Sequence, residues 1–177
     1  MKEKILLIDG HSIANRAFYG LPILTNKDGE YTNAVYGFLN ILISMIEEEQ
    51  PQYVAVAFDL STPTFRHLKY KDYKGTRKGA PAEFRPQIPL LKEVLDTMNI
   101  QRFEVEGYEA DDILGTLAKK AESRGLLPVI VSGDRDMLQV TSENIKLKIP
   151  TTKRTGTEVI EYFAKDVLEI YGVTPTQ

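Results

Sequence analysis

"KILLIDG", residues 4–10, is the stretch whose reading decides the fold. It is short, almost continuously apolar rather than alternating, and it stops at an Asp-Gly pair. A run of that form reads as a strand buried on both faces, the situation of a parallel sheet. "YVAVAFD" (53–59) and "LPVIVSGD" (127–134) repeat the pattern, and "QRFEVEG" (101–107) is a weaker fourth. Helical patterns lie between them. "NAVYGFLNILISMIEEE" (33–49) is apolar at almost every inner position, is expected to be largely buried, and ends before Pro51. "RPQIPLLKEVLDTM" (85–98) places Ile88, Leu91, Val94, Leu95 and Met98 on one face. "DDILGTLAKKAESRG" (111–125) turns Ile113, Leu114, Leu117, Ala118 and Ala121 inward, with Gly125 supplying a left-handed cap. Ser12 is expected to cap a short helix through Tyr19. "NIKLKI" and "TEVIEYF" flank the turn "PTTKRTG" and read as a hairpin, and "AKDVLEIYG" is a closing helix ended by Gly172. Alternating strands and helices predict an α/β fold: a mostly parallel central sheet flanked by helices on both faces, a three-layer, Rossmann-like arrangement.

The totals set bounds on function. At 177 residues the chain fits one domain with one sizeable core. Hydrophobic residues make up 42% and charged residues 27%, which is ordinary for a globular protein. No apolar run approaches the ~18 residues of a membrane span. The N-terminal apolar run is too short for a signal peptide and ends in Asp. The absence of cysteine excludes disulfides and thiolate zinc sites, and suits a reducing cytoplasm. A net charge of −3 does not by itself suggest a nucleic-acid binder, but the charges are patched.

Ligands of such sheets bind outside the carboxyl ends of the strands. The first strand ends in Asp9, the second in Asp59, and the last in Asp134 with Asp136 close behind. "GYEADDILGTLA" (107–118) adds Glu109, Asp111 and Asp112 just after the weaker strand. Each acid has a plain explanation taken singly, because Asp and Glu cap helices and form turns. Their convergence does not. Two unit charges ~4 Å apart repel by about 4 kcal/mol at an effective dielectric of 20, so seven carboxylates at one mouth call for cations. Hard divalent ions, Mg²⁺ or Mn²⁺, suit an all-oxygen site, and two or more are expected. Such a pair can activate water and stabilise the leaving oxygen of a phosphodiester. His11 and His67 lack close-spaced His partners, which disfavours zinc, and His11, next to the acids in sequence, is read as a bystander to the metal.

A cluster of opposite sign follows Asp59. "FRHLKYKDYKGTRKG" (65–79) carries Arg66, Lys69, Lys71, Lys74, Arg77 and Lys78, with Tyr70 and Tyr73 interleaved. Its bland reading is a solvated surface run. Its position beside the acids favours a phosphate grip with aromatic faces for unpaired bases, in a loop or short helix. Lys74 is a candidate for offsetting charge at the scissile phosphate, although its basic neighbours compete for that role. Neither a GxxxxGK[ST] loop nor a G-x-S-x-G elbow is present.

The segments "LLIDGHSIANRAFYGLP", "NAVYGFLNIL", "VAFDLSTPTFRHLKYKDYKGTRKGAP", "GYEADDILGTLAKKA" and "VSGDRDMLQV", in that order, closely resemble the 5′-nuclease domain at the front of bacterial DNA polymerase I. That domain is grouped with the flap endonucleases and has a PIN-like fold. The resemblance covers essentially the whole chain. It implies metal-dependent hydrolysis of phosphodiesters at 5′ ends, nicks and flaps of DNA. It implies metal binding by Asp9, Asp59, Glu109, Asp111, Asp112, Asp134 and Asp136, of which Asp9, Asp59, Asp111 and Asp134 are the central catalytic acids. It further implies an arch in which Lys74 and Arg77 act on the substrate beside Tyr73, and a basic position at Arg16 on the phosphate path. Arg66, Lys69, Lys71 and Lys78 complete the expected DNA-binding set. The family pattern continues past residue 177 into another Asp motif and a helix-hairpin-helix element. The chain is therefore expected to be the core of a longer polypeptide carrying polymerase domains, a bacterial cytoplasmic, nucleoid-associated monomer, with efficient cleavage expected of the longer chain. Two other readings share parts of this pattern: a PIN-type ribonuclease, and a non-catalytic nucleic-acid-binding scaffold.

Overall fold

The computed structural model describes residues 2–70, 73, 79–153 and 156–177. In chain order the strands are β1 (Lys4–Asp9), β2 (Tyr53–Ala57), β3 (Gln101–Phe103), β4 (Leu127–Val131), β5 (Lys146–Lys153) and β6 (Gly156–Tyr162). The helices are α1 (Gly10–Gly20), α2 (Asn33–Glu49), α3 (Phe65–Lys69), α4 (Gln87–Thr97), α5 (Ala110–Ser123) and α6 (Ala164–Tyr171), with a 3₁₀ turn over Arg135–Val140. The strands form one six-stranded sheet in the order β3-β2-β1-β4-β5-β6. Every pairing is parallel except the β5–β6 hairpin. The run at 101–107 contributes only three residues to β3, because its second half is polar and turns away at Gly107, where φ is +83°.

Burial follows the alternation along each strand. Leu6 and Ile8 of β1 pack with Val56, Val129 and Val131 against Ile13, Phe18, Phe38, Leu42, Leu91 and Leu95 of α1, α2 and α4. Leu7 faces the opposite side, with Ala55, Ala57 and Ile130, against Ile113, Leu114 and Ala118 of α5. The sheet is therefore the middle layer of three. Met98 leaves the apolar face expected for it and is exposed, since it lies past the last turn of α4. Gly125 ends α5 as anticipated: its N–H bonds Glu122 C=O while Leu126 N–H bonds Ala121 C=O, with φ of +84° at the glycine.

The cap of α1 differs from the sequence expectation. Asp9, not Ser12, is the capping residue, and its Oδ1 accepts the Ser12 N–H at 3.0 Å. The helix starts directly at the strand end, without a linker. A fully buried lysine, Lys148 of β5, meets Glu48 and Glu49 at 2.6 Å and Glu161 at 3.0 Å. Lys4 and Lys146 complete this cluster on Glu49. Among the described residues no helix is long and apolar enough to cross a membrane.

Candidate active site

Five of the seven acids predicted to gather at one mouth of the sheet line one cavity there. Asp9, Asp59, Glu109, Asp111 and Asp134 line a single open cavity of about 380 Å³, with His11, Ser12, Asn15 and Gly133. The cavity lies where β2 and β4 flank β1 on opposite sides, the switch point at which α/β sheets open a crevice. Asp112 and Asp136 are set apart from it. They line an adjoining pocket of about 620 Å³ with Arg66, Lys119 and Lys120, and Asp111 belongs to both.

Each central acid is anchored to backbone or hydroxyl. Asp9 accepts the Ser12 N–H through Oδ1 and the Ser132 hydroxyl through Oδ2 at 2.9 Å. Ser132 is fully buried, and its Oγ also accepts the Asp134 N–H at 3.0 Å, so one side chain links two acids from neighbouring strands. Ser12 Oγ accepts the Gly133 N–H at 2.8 Å and ties α1 to the same loop. Asp59 Oδ1 accepts the Ala110 N–H at 2.7 Å, joining the end of β2 to the first residue of α5. Asp111 Oδ1 accepts the Asp112 N–H at 2.7 Å, and Asp134 Oδ1 accepts the Asp136 N–H at 2.9 Å.

The electrostatics separate the acids into two kinds. Glu109 and Asp112 share the charge of one guanidinium within the protein. Arg66 donates to both oxygens of Asp112 at 2.6 and 2.8 Å and reaches Glu109 at 3.3 Å. The Tyr73 hydroxyl donates to Glu109 Oε2 at 3.0 Å, and Asp112 caps the Glu109 N–H at 3.1 Å. By contrast, no described Lys or Arg forms an ion pair with Asp9, Asp59, Asp111 or Asp134. Burial pushes the Asp9 carboxyl up to about 6; the bonds from Ser12 and Ser132 oppose this, and the charges of Asp59 and Asp134 add to it. Burial, followed by the charge of Asp112, also raises Asp111. Carboxylates with no ion-paired Lys or Arg among the described residues, Asp9 of them buried, in a cavity lined by oxygen donors, fit a hard divalent cation. His11 does not add to the donor set through Nδ1, which accepts the Asp59 N–H at 3.2 Å. Burial lowers its pKa, and the charge of Asp59 opposes this.

The described carboxylates whose oxygens come within 4.8 Å of one another as a trio are elsewhere: Glu48, Glu49 and Glu161. Their close approach is explained by the three lysines between them. The cavity acids, without such partners, stand further apart.

The residues expected to touch DNA divide as well. Arg66, one of the expected DNA contacts, is paired within the protein. Its guanidinium is committed to Asp112 and Glu109, because a bidentate carboxylate partner is held on the facing helix. Arg16 lines a pocket that shares Ser12, Asn15 and Gly133 with the acid cavity, and its Nε is buried without a hydrogen-bond partner in the described structure. Lys69 is exposed on α3 and Tyr73 is half-buried. Lys71, Lys74, Arg77 and Lys78 lie outside the described residues. The sequence reading missed Ser12, Asn15 and Ser132. A serine two residues before a strand-end Asp was the available signal, but serine is too common in turns to stand out.

The model of the 5′-3′ exonuclease, N-terminal resolvase-like domain matches residues 4–172. The chain belongs to that family. Its members are nucleases, hydrolases of phosphodiester bonds. DNA polymerase I of Bacillus subtilis is 47% identical over 99% of the chain, and that of Mycobacterium leprae is 44% identical over 99%. The chain spans about a fifth of the length of these curated relatives. Among solved structures, T5 5′-exonuclease with bound zinc superposes with a TM-score of 0.71 at 19% identity, over 97% of this chain and 62% of that one. Human GEN1 in complex with Holliday junction DNA gives 0.61 at 12% identity, over 97% and 41%. At these identities the likeness establishes the shared fold.

Proposed function

We propose that the chain is the catalytic core of a divalent-metal-dependent 5′→3′ exonuclease and 5′-flap endonuclease, acting on ends, nicks and flaps of DNA as the N-terminal part of a bacterial DNA polymerase I. The observation that carries this reading is the cavity where Asp9, Asp59, Asp111 and Asp134 converge from β1, β2, α5 and the loop after β4 with no described Lys or Arg paired to them. Mg²⁺ or Mn²⁺, when bound, supplies Lewis-acid activation of water and of the leaving oxygen. The residues of the chain do the rest. Asp9, Asp59, Asp111 and Asp134 would hold the ions, with Glu109 on the wall of the same cavity and Asp136 in the adjoining pocket. Ser132 fixes Asp9 relative to Asp134, so the distance between ligands from different strands is set before any ion arrives. The Arg66 guanidinium offsets one of the two charges on Glu109 and Asp112 and so lessens the repulsion of a phosphate on that side of the mouth. Arg16, whose Nε has no described partner, is placed to take a phosphate next to the cavity. Lys74 and Arg77 are assigned the charge that develops on the scissile phosphate.

The test uses the chain extended to the length of its relatives, with 5′-flap DNA and single-stranded RNA as paired substrates. Asp111→Asn and Asp134→Asn are each expected to lower Mg²⁺-dependent flap cleavage by more than about 100-fold while circular dichroism stays unchanged. Wild-type rates in either variant defeat the proposal. Preferential cleavage of the RNA assigns the site to a ribonuclease instead.

A further inference from the structure

Tyr108 directly precedes Glu109, one of the acids lining the cavity, and its side chain is 52% exposed. It is not loosely placed. Gly107, at φ +83°, and the Tyr108 N–H bond to Val105 C=O at 3.2 Å form the turn that carries it. Phe65, the first residue of α3, donates its N–H to Gly107 C=O at 3.0 Å. The two rings sit 5.8 Å apart at 55°, and Phe65 is itself 36% exposed. Two cations attend the Phe65 ring: the Arg66 guanidinium at 4.7 Å and the Lys69 ammonium at 5.8 Å. Neither ring belongs to the buried core on either side of the sheet. A half-open aromatic pair, braced by backbone hydrogen bonds and bordered by the exposed Lys69, complements a ligand with a flat π-face and an anionic backbone.

Resting on the nuclease reading above, we propose that Tyr108, backed by Phe65, is a stacking platform for an unpaired nucleobase of the strand entering the acid cavity, with the exposed Lys69 countering an adjacent phosphate. Paired bases keep their faces inside the duplex stack and offer only edges, so the platform favours a single-stranded 5′ tail over a blunt end. Arg66 is held on Asp112 and positions Phe65 rather than gripping DNA.

The experiment compares a duplex bearing a 5′ single-stranded tail, with 2-aminopurine at its first unpaired position, against the same duplex blunt-ended. Binding of the 177-residue chain is measured by anisotropy in metal-free buffer, so that nothing is cleaved. Tyr108→Ala is expected to weaken the tailed duplex about ten-fold, to leave the blunt duplex unchanged, and to abolish 2-aminopurine quenching. Tyr108→Phe keeps the ring and is expected to stay within about two-fold of wild type on both. Unchanged binding of the tailed DNA by Tyr108→Ala, or equal losses on both duplexes, overturns the platform. Failure of the wild type to bind the tailed duplex overturns it too. Mg²⁺-dependent cleavage of the tailed DNA by the wild-type extended chain is scored separately: its absence refutes the nuclease reading, whereas its presence with an inert Tyr108 refutes the platform alone.

Discussion

Asp9 does two jobs that oppose each other. As the cap of α1 it satisfies an amide at the helix start, and as a cavity acid it holds a charge in a buried place. Its folded-state pKa of about 6 lies above the ordinary 3.8, so the folded chain binds the proton more tightly than the unfolded one. The cost is absent below pH ~4, accumulates as pH rises toward 6, and is complete above that. Asp9→Asn should therefore stabilise the metal-free chain at pH 7, by on the order of 2–3 kcal/mol, with no gain at pH ~4. Mg²⁺ should raise the melting temperature of the wild type and not of the variant. Thermal melts at the two pH values, with and without Mg²⁺, check both statements. A less stable Asp9→Asn at pH 7 would mean that the cap outweighs the buried charge.

At the level of elements, the absence of a linker between β1 and α1 is what aims Asp9 at the cavity. The close passage is possible because Gly10 follows it. A methyl group at Gly10 would stand 2.4–2.6 Å from three atoms of the Phe58 ring, which is fully buried and cannot swing away. Gly10→Ala is expected to cost about 1–3 kcal/mol in urea unfolding, the usual range for overpacking. It should also weaken Mn²⁺ binding measured by calorimetry, since α1 must shift to relieve the contact. Unchanged stability would show that Phe58 has room to move. The pairing of α3 with α5 through Arg66 has the same logic: a short helix carries a residue from the β2 side of the sheet to the acids at the start of α5.

Across the whole molecule, the end of α2 is fastened to the β5–β6 hairpin by charge. Burial alone would raise the Glu49 carboxyl, but Lys146, Lys148 and Lys4 outweigh it and hold the pKa at about 2. The sign is opposite to that of Asp9. The stabilisation is fully present above pH ~4.5 and is lost as pH falls through 2. Glu49→Gln should be less stable than wild type by roughly 2–3 kcal/mol at pH 7, with the gap closing toward pH 2. Acid titrations of the two proteins by circular dichroism decide this; a gap that persists at pH 2 would point to lost packing instead. The cluster adjoins the site, since Lys4 shares β1 with Asp9 and the Lys148 C=O accepts the Ser132 N–H at 3.2 Å.

The sequence by itself determined the elements and their chemistry. Continuous apolar runs marked buried strands, 3.6-residue periodicity marked the helices, and an acid at the end of each main strand marked the mouth, because these signals are local and repeat within a few residues. Only the tertiary structure decided which acids share a cavity and which are already paired. Arg66 reads as a DNA contact in a basic run, yet Asp112, 46 positions away, claims it. Ser132 reads as a turn residue, yet it joins Asp9, 123 positions away, to Asp134. Such partners depend on strand order and register, and no periodicity in the chain encodes them. A polar side chain takes whichever partner the fold brings within reach, and that choice is made between residues the chain itself keeps far apart.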